Sequence, residues 1–218
     1  MIYLTRRAHF CAAHRLHRPD LSEAENLELF GKCATPGGHG ATEACRLLAE
    51  QGKQNGARAY IIMGDLSHNA ALQRTQSVRD VLSKPPCDFI KIVDEQQAGW
   101  SRLAAADLVT NWLTAGEPFD AIFANNDEMA IGAIQAMKNA GVDLKDVVVV
   151  GVDATQDGLA AMKAGDLDVT VFQNATAQAA GAVDAALALA RKQTVDQVVY
   201  IPFELVTPAN MDAYAAKN

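Results

Sequence analysis

Five short apolar runs, each followed by a polar turn and a helical stretch, leave this chain few folds to adopt. Ala59 to Met63, Phe89 to Val93, Asp120 to Ala124, Val147 to Val150 and Val169 to Phe172 read as strands. Each is a continuous run of mainly Val, Ile, Phe and Ala, as expected of strands buried on both faces of a parallel sheet. Helical patterns separate them, one running through Leu82 and another from about Trp100 to Leu113. The clearest unit is Phe119 to Met137, FDAIFANNDEMAIGAIQAM. Its strand ends in Asn125, Asn126 and Asp127, acceptor-bearing residues suited to capping unpaired N–H groups. Ala130, Ile134 and Met137 then share one helix face. The fold class implied is α/β, a doubly wound parallel five-stranded sheet. Ligands of such sheets bind beyond the carboxyl ends of the strands.

Composition excludes several functions. The net charge of −7 argues against nucleic acid or an anionic membrane surface as partner. No apolar run is long enough for a membrane span. MIYLTRRAHFCAAHRLH places Arg6, Arg7 and histidines where a secretory signal needs an apolar core, so no signal peptide is read and the chain as written reads as cytoplasmic. Cys11, Cys33, Cys45 and Cys87 lack a CxxC spacing, and free thiols are expected.

The character of the sequence changes near residue 40. Residues 1–40 hold four of the five histidines and five Lys/Arg against four Asp/Glu. Residues 41–218 hold 14 against 22, are Ala-rich and contain all the strand–helix units. Two domains are expected, 1–40 and 41–218. In the first, Ile2 to Ala13 reads as a strand, and Ser22 with Glu25 opens a helix. Tyr3-Leu4-Thr5-Arg6-Arg7, Phe10-Cys11-Ala12-Ala13-His14-Arg15-Leu16-His17, Leu29-Phe30-Gly31-Lys32-Cys33 and Gly38-His39-Gly40 follow. This stretch resembles the N-terminus of 6-pyruvoyl-tetrahydropterin synthases, and so a β-strand/helix fragment of their T-fold. The resemblance implies His14 and His39 as zinc ligands and Cys33 as a catalytic thiol. The family's third zinc histidine falls at Ala41 here, and a catalytic zinc normally has three protein ligands.

In the second piece Ala41 to Gln51 reads as a helix, and Gly158 and Gly165 as turn residues. The five turns present Asp65, Ser67 and Arg74, then Glu95 to Trp100, then Asn125 and Asn126, then Asp153, then Gln173. A parallel sheet puts these on one edge. Carboxamides, a carboxylate and a guanidinium suit vicinal hydroxyls, and an indole suits the C–H face of a sugar or cyclitol. Gly64-Asp65-Leu66-Ser67 with Gln73-Arg74, the run Ala124-Asn125-Asn126-Asp127-Glu128-Met129-Ala130-Ile131-Gly132-Ala133, Val150-Gly151-Val152-Asp153 and Val171-Phe172-Gln173 are similar to periplasmic sugar-binding proteins of the ribose/inositol type that serve ABC transporters. The resemblance implies one lobe of a type I periplasmic binding protein. Arg74, Asn126, Asp153 and Gln173 would hydrogen-bond the ligand and Trp100 would stack on it. The turn Met63 to His68 and Gly99-Trp100-Ser101 lean towards inositol.

The expected function is therefore a solute-binding module for a sugar or inositol, without a cofactor, partnered by an ABC permease if exported. Its parent would be periplasmic. The resemblance matches the C-terminal lobe only, so binding no tighter than about millimolar is expected of that lobe alone. The two resemblances together imply a chimera, and the alternative function is a zinc-dependent carbon–oxygen lyase of the pterin-synthase type. Val198 to Val206 would be a hinge crossing and last strand, and Pro208 to Ala215 a terminal helix. The apolar tail would pair with the first piece or lie exposed, inviting self-association.

Overall fold

A computed structural model describes residues 38–196, 199 and 201–217. The strand and helix expected within residues 1–37, with His14 and Cys33, lie outside the described residues. Helix α1 spans His39–Glu50, starting two residues before the expected Ala41, with Gly38 as its N-cap. Then alternate β1 (Ala57–Met63), α2 (Asn69–Leu82), β2 (Ile90–Gln97), α3 (Arg102–Ala115), β3 (Ala121–Ala124), α4 (Asp127–Asn139), β4 (Val148–Val150), α5 (Gln156–Lys163), β5 (Thr170–Phe172), α6 (Ala175–Ala190) and β6 (Glu204–Val206).

Four strands form a parallel sheet in the order β2-β1-β3-β4. The expected fifth, β5, joins β4 only through the parallel bridges Val150–Val169 and Asp153–Phe172. At this edge the Asp168 carboxylate takes the Val149 N–H at 2.8 Å, interrupting a regular ladder. The other edge of β5 pairs antiparallel with β6, Val171 opposite Leu205.

Both faces of the sheet are covered. In β1, Tyr60 and Ile62 enter a core with α3, α4 and α5, including Leu108, Trp112, Ala133 and Leu159. Ala59 and Ile61 point the other way, against Ala44 and Leu48 of α1 and Val81 of α2. This accounts for runs without polar alternation. Tyr60 stacks on Trp112 with ring centroids 4.1 Å apart. From β1 the chain steps outward to β2, then back across β1 to β3. The β1/β3 boundary is the point where the winding reverses, and the turns after these strands flank it.

Three expectations need correction. Cys45 of α1 and Cys87 before β2 are not free thiols but a disulfide with Cα atoms 5.6 Å apart. Folding, not sequence spacing, brings these positions together across 42 residues. The apolar tail does not lie bare along its last strand. Its β6 pairs with β5, and Phe203 and Val206 are buried. The terminal helix is only a 3₁₀ turn, Met211–Ala213. Asn210 takes the Thr207 N–H and donates to the Leu205 carbonyl, fixing a turn instead. Among the described residues, no helix is long and apolar enough to cross a membrane.

Candidate functional site

Arg74 joins the turns at the carboxyl edge of the sheet. It lies on the inward face of α2 with Ala71, Thr75 and Ser77, and is only 6% exposed. Its Nη1 donates to the Asn125 carbonyl at 2.5 Å. Its Nη2 donates to Asp153 Oδ1 at 3.2 Å and Gln173 Oε1 at 3.0 Å. One guanidinium thus links the turns after β3, β4 and β5. Arginine suits this because its planar fork offers several donors in fixed directions. Burial pushes the Asp153 carboxyl above its ordinary value, and the charge and hydrogen bond of Arg74 pull it back.

Trp100 completes one wall. Its ring lies 5.5 Å from the guanidinium carbon of Arg74, in cation–π range. The indole N–H donates to His68 Nδ1 at 2.9 Å. The ring covers Gly64, where a side chain would collide with it. Trp100 has φ 68° and Asp153 φ 109°, the left-handed region that side-chain-bearing residues rarely occupy. Such strain gathers where the surroundings hold a residue for function.

The two asparagines divide the work. Asn125 Oδ1 accepts from the Gly64 N–H at 3.0 Å and the Thr75 hydroxyl at 3.2 Å, binding the turn after β1 to the turn after β3. Asn126 is the N-cap of α4, its Oδ1 taking the Met129 N–H at 3.0 Å. The cap is as the sequence suggests. Among the described residues Asn126 makes no side-chain bond to Arg74, Asp153 or Gln173, so it stands beside the cluster rather than within it.

Of the expected rim residues, Arg74, Asp153 and Gln173 meet, Trp100 covers Arg74, and Asn126 adjoins. Others do not take part. Asp65 accepts the Ser67 N–H within its own turn, and Glu95 lies in β2 paired with Arg79. His39 opens α1, and among the described residues no cluster of three His, Cys, Asp or Glu is placed to hold a metal. Sequence reasoning missed Asp127 as more than a cap. It is fully buried, and burial pushes its carboxyl up to about 7 despite hydrogen bonds from Thr170 and Thr155. It also misread Gly158, which lies within α5 with the Asp127 carboxylate against it, whereas Gly165 is a turn residue at φ 79°. The available signal was two glycines, Gly151 after β4 and Gly158 in the first turn of α5, small enough to leave room for a buried acid.

An open α/β sheet with such a rim defines a ligand-binding lobe. The profile of a periplasmic binding protein domain matches residues 39–194, and the chain belongs to that family. It is 54% identical over 176 residues to a putative rhizopine-binding protein of Rhizobium meliloti, covering 81% of this chain and 55% of that protein. It is 35% identical over 155 residues to a xylitol-binding protein of Mycolicibacterium smegmatis, covering 70% of this chain and 43% of the other. An ABC transporter solute binding protein from Bacillus halodurans, solved with bound myo-inositol, is 40% identical with a TM-score of 0.74, over 83% of this chain and 60% of that one. A Caulobacter myo-inositol binding protein, bound to myo-inositol, is 32% identical with a TM-score of 0.71, over 80% and 58%. The chain thus spans about half the length of these curated relatives. The family match begins at residue 39, so of the stretch resembling pterin synthases it includes His39 and Gly40 and leaves residues 1–38 outside.

Proposed function

We propose that residues 39–217 supply one wall of a solute-binding site for an inositol-like cyclitol, in a periplasmic binding protein that delivers it to an ABC permease. The observation that carries this is the convergence of Asn125, Asp153 and Gln173 on Arg74 beneath Trp100. Arg74, Asn126, Asp153 and Gln173 hydrogen-bond ring hydroxyls, and Trp100 covers a C–H face. The two solved relatives holding myo-inositol favour a cyclitol over a pentose. The Cys45–Cys87 bond supports an oxidising compartment such as the periplasm. Self-association would use exposed apolar residues such as Val183 and Leu187 of α6 rather than the edge of β6 that pairs with β5. The zinc lyase reading of residues 1–40 rests on sequence resemblance alone.

The test is an NMR titration of the 218-residue polypeptide with myo-inositol, with ribose and xylitol alongside. Myo-inositol is expected to bind most tightly of the three, no tighter than about millimolar because one wall supplies about half the hydrogen bonds and little enclosure. The Arg74→Ala variant abolishes the response. No response to myo-inositol, or a tighter response to ribose, overturns the cyclitol reading.

A further inference from the structure

Asp127, like Arg74, joins several segments of the rim. It is the first residue of α4, directly after Asn126. Its Oδ2 accepts the Thr155 N–H at 2.7 Å and the Thr155 hydroxyl at 3.2 Å. Its Oδ1 accepts the Thr170 hydroxyl at 2.6 Å. Its own N–H donates to the Val152 carbonyl at 2.8 Å. One residue thereby ties the turn after β3 to the turn after β4 and to β5. The arrangement leaves no space for larger neighbours. A side chain at Gly151 or Gly158 would run into the carboxylate oxygens.

The residues held this way bracket a candidate ligand group. Val152 is bonded to Asp127, and the Ala154 N–H donates to the Thr170 hydroxyl at 3.2 Å. Between them sits Asp153 at φ 109°, a conformation that only surrounding contacts maintain. Among the described residues the Asp127 carboxylate bonds to Thr155 and Thr170, with Gly151 and Gly158 against it, and makes no hydrogen bond to Arg74, Trp100 or Gln173. Its position argues for an indirect role.

We propose that Asp127 is a positioning residue of the ligand rim, fixing Asn126 and Asp153 relative to one another without touching the ligand. This rests on the cyclitol site described above. A carboxylate that only added general stability would loosen the whole sheet when removed. A pin loosens the rim first.

The test compares the 218-residue wild type with Asp127→Ala, Asp127→Asn and Thr170→Val by amide hydrogen exchange and myo-inositol titration. In Asp127→Ala, exchange at Asp153, Ala154 and Thr155 is expected to speed up about tenfold more than at Ile61 and Ile122 in the sheet, and affinity to fall about tenfold. Asp127→Asn restores both to within about threefold, because a carboxamide keeps an oxygen for the Thr155 N–H and an N–H for the Thr170 hydroxyl. If Asp127→Ala does not fold, Thr170→Val, which removes one donor, is expected to speed exchange selectively at Ala154 and Thr155. Equal loosening of rim and sheet, or none at the rim, overturns the proposal. If wild type ignores myo-inositol, the ligand reading has failed, and the exchange pattern still judges Asp127.

Discussion

Arg74 and Asp127 show how two buried ionisable residues at one rim can do different work. Arg74 gathers the Asn125 carbonyl and the Asp153 and Gln173 side chains from three turns, and is proposed to meet a ligand hydroxyl. Arg74→Ala withdraws the guanidinium from a carboxylate that burial already penalises, so stability in urea is expected to fall by about 2 kcal/mol along with the ligand response. Asp127 instead carries a pH signature. Its folded-state carboxyl is pushed by burial from an ordinary value of 3.8 to about 7, the nearby Asp153 charge adding to the rise and the Thr170 and Thr155 hydrogen bonds opposing it. The fold therefore binds this proton more tightly than the unfolded chain does. The stability so gained is complete at acid pH and is lost as pH rises through about 7. Asp127→Asn cannot ionise, so its melting temperature relative to wild type is expected to improve between pH 5 and pH 8. A constant difference across that range contradicts the assignment.

At the scale of elements, helices α3 and α4 meet closely because Gly132 has no side chain. A Cβ there would press on the Arg102 carbonyl oxygen. Gly132→Ala is expected to cost about 2 kcal/mol in urea denaturation, while breaking the exposed Arg102–Glu128 pair costs under about 1 kcal/mol. The Cys45–Cys87 bond ties α1 to the start of β2, and reduction is expected to lower stability by about 3 kcal/mol. The strands were legible because short apolar runs such as Ala121–Ala124, bounded by polar turns and alternating with helical stretches, fit a two-sided parallel sheet. Asn126 was legible as a cap because its side chain suits unpaired N–H groups. The disulfide was not legible, since it joins residues distant in sequence. The backbone at Trp100 and Asp153 was not either, since neither residue type announces a positive φ. The pairing of β6 with β5 escaped because a short apolar tail specifies no register.

For the molecule as a whole, the winding of the sheet explains why residues as far apart as Arg74 and Gln173 share one rim. The turns after β1 and β3 flank the reversal point, and those after β4 and β5 follow along the same edge. Helix α6 stands apart from this core, with Ala185 its one buried residue, and its Val183 and Leu187 are exposed one turn apart on its surface. Val183→Glu together with Leu187→Glu is expected to reduce any concentration-dependent association seen by sedimentation, without altering the rim. The central claim is that distant turns meet around one hydroxyl-rich ligand. A crystal structure grown with myo-inositol tests it most directly. Density for the cyclitol against Arg74, Asn126, Asp153 and Gln173, with Trp100 on its face, is the predicted result; ligand bound elsewhere, with those side chains unengaged, would contradict it.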